Sequence, residues 1–99
     1  MTYNVVFDVS APAEAYLATH AAIREVSGSD TGGLLVHFGR ATETGFQVTE
    51  IWESKDAYDS WVEAVWPGVA ARLGGVPAPQ GAEFEVLGLI VTGRDDIYR

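Results

Sequence analysis

Apolar and polar residues recur with two different periods along this chain, and the change of period marks six elements. Short runs of β-branched and aromatic residues predict strands, whereas apolar residues three and four positions apart predict helices. The predicted order is a strand at Tyr3–Val9, a helix at 13–26, hairpin strands at 34–38 and 46–54, a helix that follows Ser54 and reaches Val69, and a strand at 84–92.

Proline, glycine and capping residues set the limits of these elements. Pro12 suits the first turn of the first helix. Ser54 is a suitable N-cap for the second helix, and Pro67 should kink or break that helix near its third turn. Stretches rich in glycine at 27–33 and 74–81 predict loops.

The order β-α-β-β-α-β is typical of a ferredoxin-like α+β fold, in which two helices cover one face of a four-stranded antiparallel sheet. We expect residues 1–93 to form this single domain and residues 94–99 to form a C-terminal tail. The strands are apolar on both faces, as in the run 86–91, although a half-solvated sheet should alternate apolar and polar residues. The uncovered face should therefore meet the same face of a second copy, which predicts a homodimer formed sheet to sheet.

The polar turn between the hairpin strands determines which residues lie opposite each other. If the turn holds two or four residues, three cross-strand pairs follow: His37 with Glu50, Leu35 with Trp52, and Gly39 with Val48. Side chains alternate between faces along a strand, so Glu50 and Trp52 share one face with His37 beside them. This arrangement predicts either a reaction site or a buried, hydrogen-bonded pair.

Composition narrows the classes of partner. None of the 99 residues is cysteine. Hydrophobic residues make up 47% of the chain, a larger share than a small monomer readily buries. Six basic and 14 acidic residues give a net charge of -8, and the basic residues form no cluster, so we expect neither nucleic acid nor a membrane as partner. No signal segment and no apolar run of membrane-spanning length is visible, so we expect a cytoplasmic protein.

Three stretches resemble the antibiotic-biosynthesis-monooxygenase-like proteins of the dimeric α+β barrel superfamily: 33–37, 45–54, and the helix with Tyr58, Trp61 and Pro67. The Trp-Glu-Ser junction at 52–54 is the most specific part, and the resemblance covers nearly the whole chain. It implies a dimer whose subunits each hold an apolar or aromatic small molecule in a cavity between sheet and helices. The superfamily includes quinone-forming monooxygenases, polyketide cyclases and haem-degrading enzymes, so the resemblance implies a kind of site and leaves the reaction open.

Taken position by position, the resemblance implies candidate substrate contacts. Trp52 matches a tryptophan that lines the cavity of the cofactor-independent monooxygenases, but Val48 stands where those enzymes carry an asparagine for the substrate oxygen. Asn4 on the first strand is a candidate replacement for that amide. Trp61 matches a tryptophan of the haem degraders, whereas Ala71 replaces their iron-ligating histidine, which disfavours haem cleavage.

The residues present favour acid–base chemistry without a cofactor. Glu50 can accept the N–H of one ring nitrogen of His37, which leaves the other nitrogen free to face the cavity as a general base or acid. Such a pair would enolise a β-dicarbonyl or phenolic substrate. Other candidate wall residues are Phe46 of the hairpin and Tyr16 and His20 of the first helix. No metal-binding or phosphate-binding pattern is visible, so we expect no metal and no cofactor.

These observations favour a cofactor-independent enzyme that acts on an aromatic or polyketide-like substrate by oxygenation, or by cyclisation or isomerisation. A non-catalytic binding protein with the same fold is the alternative, in which His37 is a structural core residue and the tryptophans fill space. A haem-binding or haem-degrading protein is a third and less favoured hypothesis.

Overall fold

The computed structural model describes residues 2–76 and 78–93 and has an α+β architecture. In chain order, its elements are β1 (Tyr3–Val9), α1 (Ala13–Ser27), β2 (Leu34–Ala41), β3 (Phe46–Trp52), α2 (Lys55–Arg72) and β4 (Ala82–Glu83). The strands form one open antiparallel sheet in the order β2-β3-β1-β4, which with the two helices is compatible with the predicted ferredoxin-like fold. The predicted tail at 94–99 lies outside the described residues.

The hairpin of β2 and β3 has the predicted register around the candidate pair. His37 lies opposite Glu50, and Gly39 lies opposite Val48. The turn at 42–45 separates strands that end at 41 and begin at 46, so it holds four residues, one of the two predicted lengths. The side chains of His37 and Glu50 are therefore neighbours on one face of the sheet.

At the other end of the hairpin, the predicted pairing of Leu35 with Trp52 is wrong. Leu34 lies opposite Trp52, and the register shifts between Leu34 and Val36. A bulge of this kind places one extra residue in one strand, so the shift is confined to the start of β2 and does not reach the candidate pair.

The helices begin near the predicted residues, with one correction further along. α1 begins directly after Pro12, which is its N-cap. Ser54 caps α2 as predicted, because its Oγ accepts the N–H of Ala57 at 3.0 Å. Of the two predicted effects of Pro67, a kink or a break, the break is wrong, since α2 continues to Arg72. Pro67 is exposed, so the carbonyl that its missing N–H leaves unpaired is able to meet solvent. Neither helix of the described residues is long and apolar enough to cross a membrane.

The predicted strand at 84–92 does not form, because β4 is a two-residue strand that ends just before it, and the register of the sheet explains the difference. Glu83 lies opposite Val5, and β1 begins at Tyr3. An antiparallel strand in this register finds no partner in β1 beyond position 85. The apolar sequence that follows has strand propensity, but strand propensity without a neighbouring strand does not make a ladder.

Both helices lie over the same face of the sheet, and the core lies between these layers. Its buried hydrophobic residues come from every layer: Val5, Phe7, Ala22, Phe46, Trp52 and Val69. Phe38 alternates with His37 along β2 and thus points to the opposite face, where it is 48% exposed. Within the described residues, no helix covers that opposite face.

Candidate active site

A cavity of about 200 Å³ lies between the sheet and the two helices. β1, β2 and β3 form its floor, α1 and α2 form its sides, and the segment after α2 contributes to its rim. Most of its lining is apolar, and apart from two tryptophans the side chains with polar groups are Tyr16, Thr19, His20, His37, Glu50 and Tyr58. An apolar protein cavity of about 150 Å³ is able to hold benzene, so this one has room for about one substituted ring.

Glu50 is the polar centre of this cavity wall. Its Oε2 lies 2.7 Å from Nδ1 of His37, and its Oε1 accepts the indole N–H of Trp52 at 3.0 Å. An ionised carboxylate only accepts hydrogen bonds, so Nδ1 of His37 carries the hydrogen and donates it. Glu50 is only 9% exposed, and donors on both oxygens offset the cost of burying its charge.

Tyr16 forms a hydrogen bond with the second ring nitrogen of His37, which we expected to be free. Its Oη lies 3.1 Å from Nε2. In neutral His37 with the hydrogen on Nδ1, Nε2 is an acceptor, so the phenol of Tyr16 donates. The expectation that this nitrogen faces the cavity directly is therefore wrong, because a phenol that itself lines the cavity covers it.

Packing on three sides holds the Tyr16 ring in place. The ring stacks on that of His37, with centroids 6.1 Å apart and planes 17° apart, and meets Phe46 edge to face at 5.5 Å. Gly39 makes room for it, since a Cβ at that position would come within 2.6 Å of Tyr16 Cζ. Burial, and to a lesser extent the charge of Glu50, raises the pKa of Tyr16 above its ordinary value.

His20 stands one helical turn after Tyr16, at the same end of the cavity. Its ring centroid lies 5.7 Å from that of Tyr16 and 5.7 Å from that of His37. Nδ1 of His20 is 3.5 Å from the Tyr16 hydroxyl, which is at the long limit for a hydrogen bond. The structure thus brings four of the predicted site residues together, with exposed His20 between the cavity and solvent.

Three further candidates, Phe46, Val48 and Trp61, also lie in the cavity wall, where substrate contact stays a prediction. Trp52 does not line the cavity. Its side chain is 1% exposed and packs against Trp61 with ring centroids 5.5 Å apart. It donates its indole N–H to Glu50 from outside the cavity. Its position is therefore that of a support for the carboxylate.

Asn4 lies away from the cavity, contrary to its expected place. It alternates with buried Val5 on β1 and so points to the face that the helices leave open. Its Nδ2 donates to the carbonyl of Phe84 at 3.2 Å, after the end of β4. Asn4 therefore cannot replace the missing amide at position 48 within one subunit.

Sequence reasoning missed two aromatic residues of the cavity wall, Tyr58 and Trp66. Burial is the main cause that raises the pKa of Tyr58 to about 12, and the charge of Glu50 adds to it. Trp66 donates its indole N–H to the carbonyl of Val76 at 3.2 Å and so ties the segment after α2 to the cavity rim. The spacing of Tyr58, Val62 and Trp66 at intervals of four was a signal for one helical stripe.

The arrangement offers proton exchange beside an apolar binding space. Among the described residues, no group of three or more metal-ligating side chains is able to hold a metal ion. The ionisable groups at the cavity end are instead linked pairwise, from Glu50 through His37 to Tyr16. The groups present thus suit acid–base chemistry on a bound ring.

Comparisons of the chain with models of protein families, with curated proteins and with solved structures found no match. The resemblance to antibiotic-biosynthesis-monooxygenase-like proteins therefore stays a prediction.

Proposed function

We propose that this protein is a cofactor-independent enzyme that acts on a small aromatic or polyketide-like substrate, with His37 as the acid–base group and Glu50 as the carboxylate that orients it. The observation that carries the proposal is the 2.7 Å contact of His37 Nδ1 with Glu50 Oε2 in the wall of a largely apolar cavity. Burying an ionisable pair costs free energy that an apolar pair of the same size would avoid. The His37–Glu50 pair lies beside a binding space, as general acid–base catalysis requires. Such catalysis contributes roughly 10²–10⁴-fold in rate.

The pair would act on a substrate with an acidic C–H or O–H group, such as a β-dicarbonyl or a phenol. The proton leaves the substrate and is stored on His37, whose imidazolium the Glu50 carboxylate stabilises. The substrate is left as an enolate or a phenolate. Return of the proton to another atom gives isomerisation, attack of the enolate carbon on a carbonyl gives cyclisation, and reaction with molecular oxygen as co-reactant gives oxygenation. Val48 in place of an amide leaves these three outcomes open.

The proposal is tested by exchange of solvent deuterium into the carbon-bound positions of a panel of β-dicarbonyls and phenols with one ring. Nuclear magnetic resonance measures the rate of exchange. We expect the protein to accelerate exchange into at least one compound, and His37→Ala and Glu50→Gln each to lower the acceleration by roughly 10²–10⁴-fold. Asp8→Asn is the matched control for a lost carboxylate, because Asp8 is exposed on β1. Unchanged exchange in both cavity variants would contradict the proposal. For a compound that is turned over, loss of turnover without oxygen selects oxygenation.

The alternative is a binding protein without catalysis. One observation favours it: every polar atom of the Glu50 and His37 side chains has a hydrogen-bond partner, as in a structural network. This alternative predicts that compounds bind without accelerated exchange and that His37→Ala leaves their affinity unchanged. For the third hypothesis, haem binding, the corresponding observation is a Soret band after addition of haemin, and we expect none.

We propose in addition that two copies associate through the sheet faces that the helices leave open. Support comes from Phe38 on that face, exposed at 48%, and from Leu87 and Ile90 after β4, exposed at 94% and 68%. A second copy would cover these apolar groups. The fold and the cavity between sheet and helices also suit the proposed relationship to antibiotic-biosynthesis-monooxygenase-like proteins, and a cytoplasmic location stays a prediction.

A further inference from the structure

We infer that Tyr16 is the group that touches the substrate, and that it passes a proton between an acidic hydroxyl of the substrate and His37. The inference rests on the proposed function and deepens it, because it adds a catalytic residue and narrows the substrate class. It is carried by the chain of contacts from Glu50 to His37 to Tyr16, with distances of 2.7 Å and 3.1 Å.

The hydrogen bonds of this chain of contacts all point toward Glu50. Glu50 accepts from Nδ1 of His37, so Nε2 accepts from the Tyr16 hydroxyl. A phenol that donates its one hydrogen in this way still has lone-pair capacity on its oxygen. The resting site therefore presents an acceptor to the cavity, and the complementary ligand group is an O–H donor.

A proton passes from the substrate to His37 by way of Tyr16. The O–H bond of the substrate breaks, and its proton forms a new O–H bond on Tyr16 Oη. The original Tyr16 proton forms an N–H bond at Nε2 of His37. The electron pair of the broken bond stays on the substrate, which becomes a phenolate or an enolate that accepts a hydrogen bond from Tyr16. The imidazolium of His37 remains paired with the Glu50 carboxylate, so the net charge of the filled site is unchanged.

The volume of the cavity limits the size of the substrate. The cavity of about 200 Å³ has room for about one substituted ring, and its walls next to the polar end are apolar, including Phe46 and Val62. Gly39 and Phe46 hold the Tyr16 ring so that its hydroxyl stays at the polar end. The substrate class that fits is a ring or small enolised dicarbonyl with one acidic hydroxyl.

A nitrophenol with a single ring is a suitable probe, because its ionised form absorbs visible light and its neutral form does not. Its dissociation constant is measured by calorimetry, and its ionised fraction by absorbance, at a pH where the free compound is mostly neutral. The proteins are the wild type, Tyr16→Phe, His37→Gln and, as the matched loss of a phenol outside the cavity, Tyr3→Phe. Thermal unfolding confirms that each variant is folded. Glutamine at position 37 keeps hydrogen-bonding capacity but cannot take up the proton.

In the wild type and Tyr3→Phe, we expect the bound probe to be ionised. In Tyr16→Phe, we expect the dissociation constant of the probe to rise by about 10- to 100-fold, because a hydrogen bond to a charged group is lost. We also expect the absorbance of the ionised probe to disappear. In His37→Gln, the probe should bind in its neutral form. If His37→Gln removes the ionised signal and Tyr16→Phe does not, the inference is overturned and the proposed function stands. If neither variant changes the signal, both are overturned. If the probe fails to bind the wild type, the inferred substrate class is overturned, and larger substrates remain for the proposed function.

Discussion

Gly39 lies so close to the ring of Tyr16 that no side chain fits between them. A Cβ atom built on Gly39 would come within 2.6 Å of Tyr16 Cζ and 3.0 Å of Cδ1. The φ of Gly39 is not positive, so backbone conformation does not require glycine at this position. Glycine at position 39 therefore leaves the space that the Tyr16 ring needs to lie beside His37.

We predict that Gly39→Ala displaces Tyr16 and breaks its contact with His37. Overpacking of this kind should lower the free energy of unfolding by about 1–3 kcal/mol, measured by urea denaturation. The matched control is the same substitution in a Tyr16→Ala background, where the ring is absent and Gly39→Ala should cost little. Equal costs in the two backgrounds would show that the ring is not what Gly39 accommodates.

A second prediction concerns Glu50 and its two donors. Glu50→Gln keeps the shape but replaces the charged acceptor of two hydrogen bonds with a neutral amide, whose NH₂ group either faces the N–H of Trp52 or forces His37 into its other tautomer. We expect a loss of about 1–3 kcal/mol in the free energy of unfolding. In a Trp52→Phe background one donor is already absent, so Glu50→Gln should lower the free energy of unfolding by a smaller amount. The coupling energy between the two substitutions should be about 0.5–3 kcal/mol. Strictly additive costs would mean that Trp52 does not support the carboxylate.

The pairing of His37 with Glu50 could be predicted from sequence because it depends on local features. A hairpin with an even turn length and alternating side chains has few possible registers, and both residues lie within one hairpin. The contact of Tyr16 with His37 could not be predicted in the same way. It depends on how α1 is rotated over the sheet and on the space above Gly39, which are tertiary features.

The end of the sheet shows a different limit of sequence patterns. The apolar run after position 83 has the composition of a strand, but a pattern of residue types does not say whether a partner strand is available. Pro67 shows the reverse case, in which a strong local breaker is tolerated because it lies on an exposed side of α2. Local preference and available partners have to agree before a boundary is predictable.

A third prediction concerns alkaline pH. Burial is the main cause that raises the pKa of Tyr58 from the ordinary tyrosine value of 10.0 to about 12. Between these values the folded protein binds more protons than the unfolded chain, so stability is complete below pH 10 and falls as pH rises toward 12. Tyr58→Phe should make the free energy of unfolding less dependent on pH in this range, measured by urea denaturation at several pH values. Part of the dependence should remain, because the pKa values of Tyr3 and Tyr16 are also raised. An identical slope in wild type and variant would contradict the prediction.

The last prediction concerns the proposed dimer. Leu87 and Ile90 follow β4 at a point where its register has no further partner in β1, and they are 94% and 68% exposed. We expect a dimeric mass by sedimentation at micromolar concentration, because a second copy would remove these side chains from water. The double change Leu87→Ser and Ile90→Ser should raise the dimer dissociation constant by at least about tenfold. Leu17→Ser is the matched control, since Leu17 is 63% exposed on α1, away from the open sheet face. A monomeric wild type would rule out the dimer, and an unaffected double variant would place its interface away from this segment.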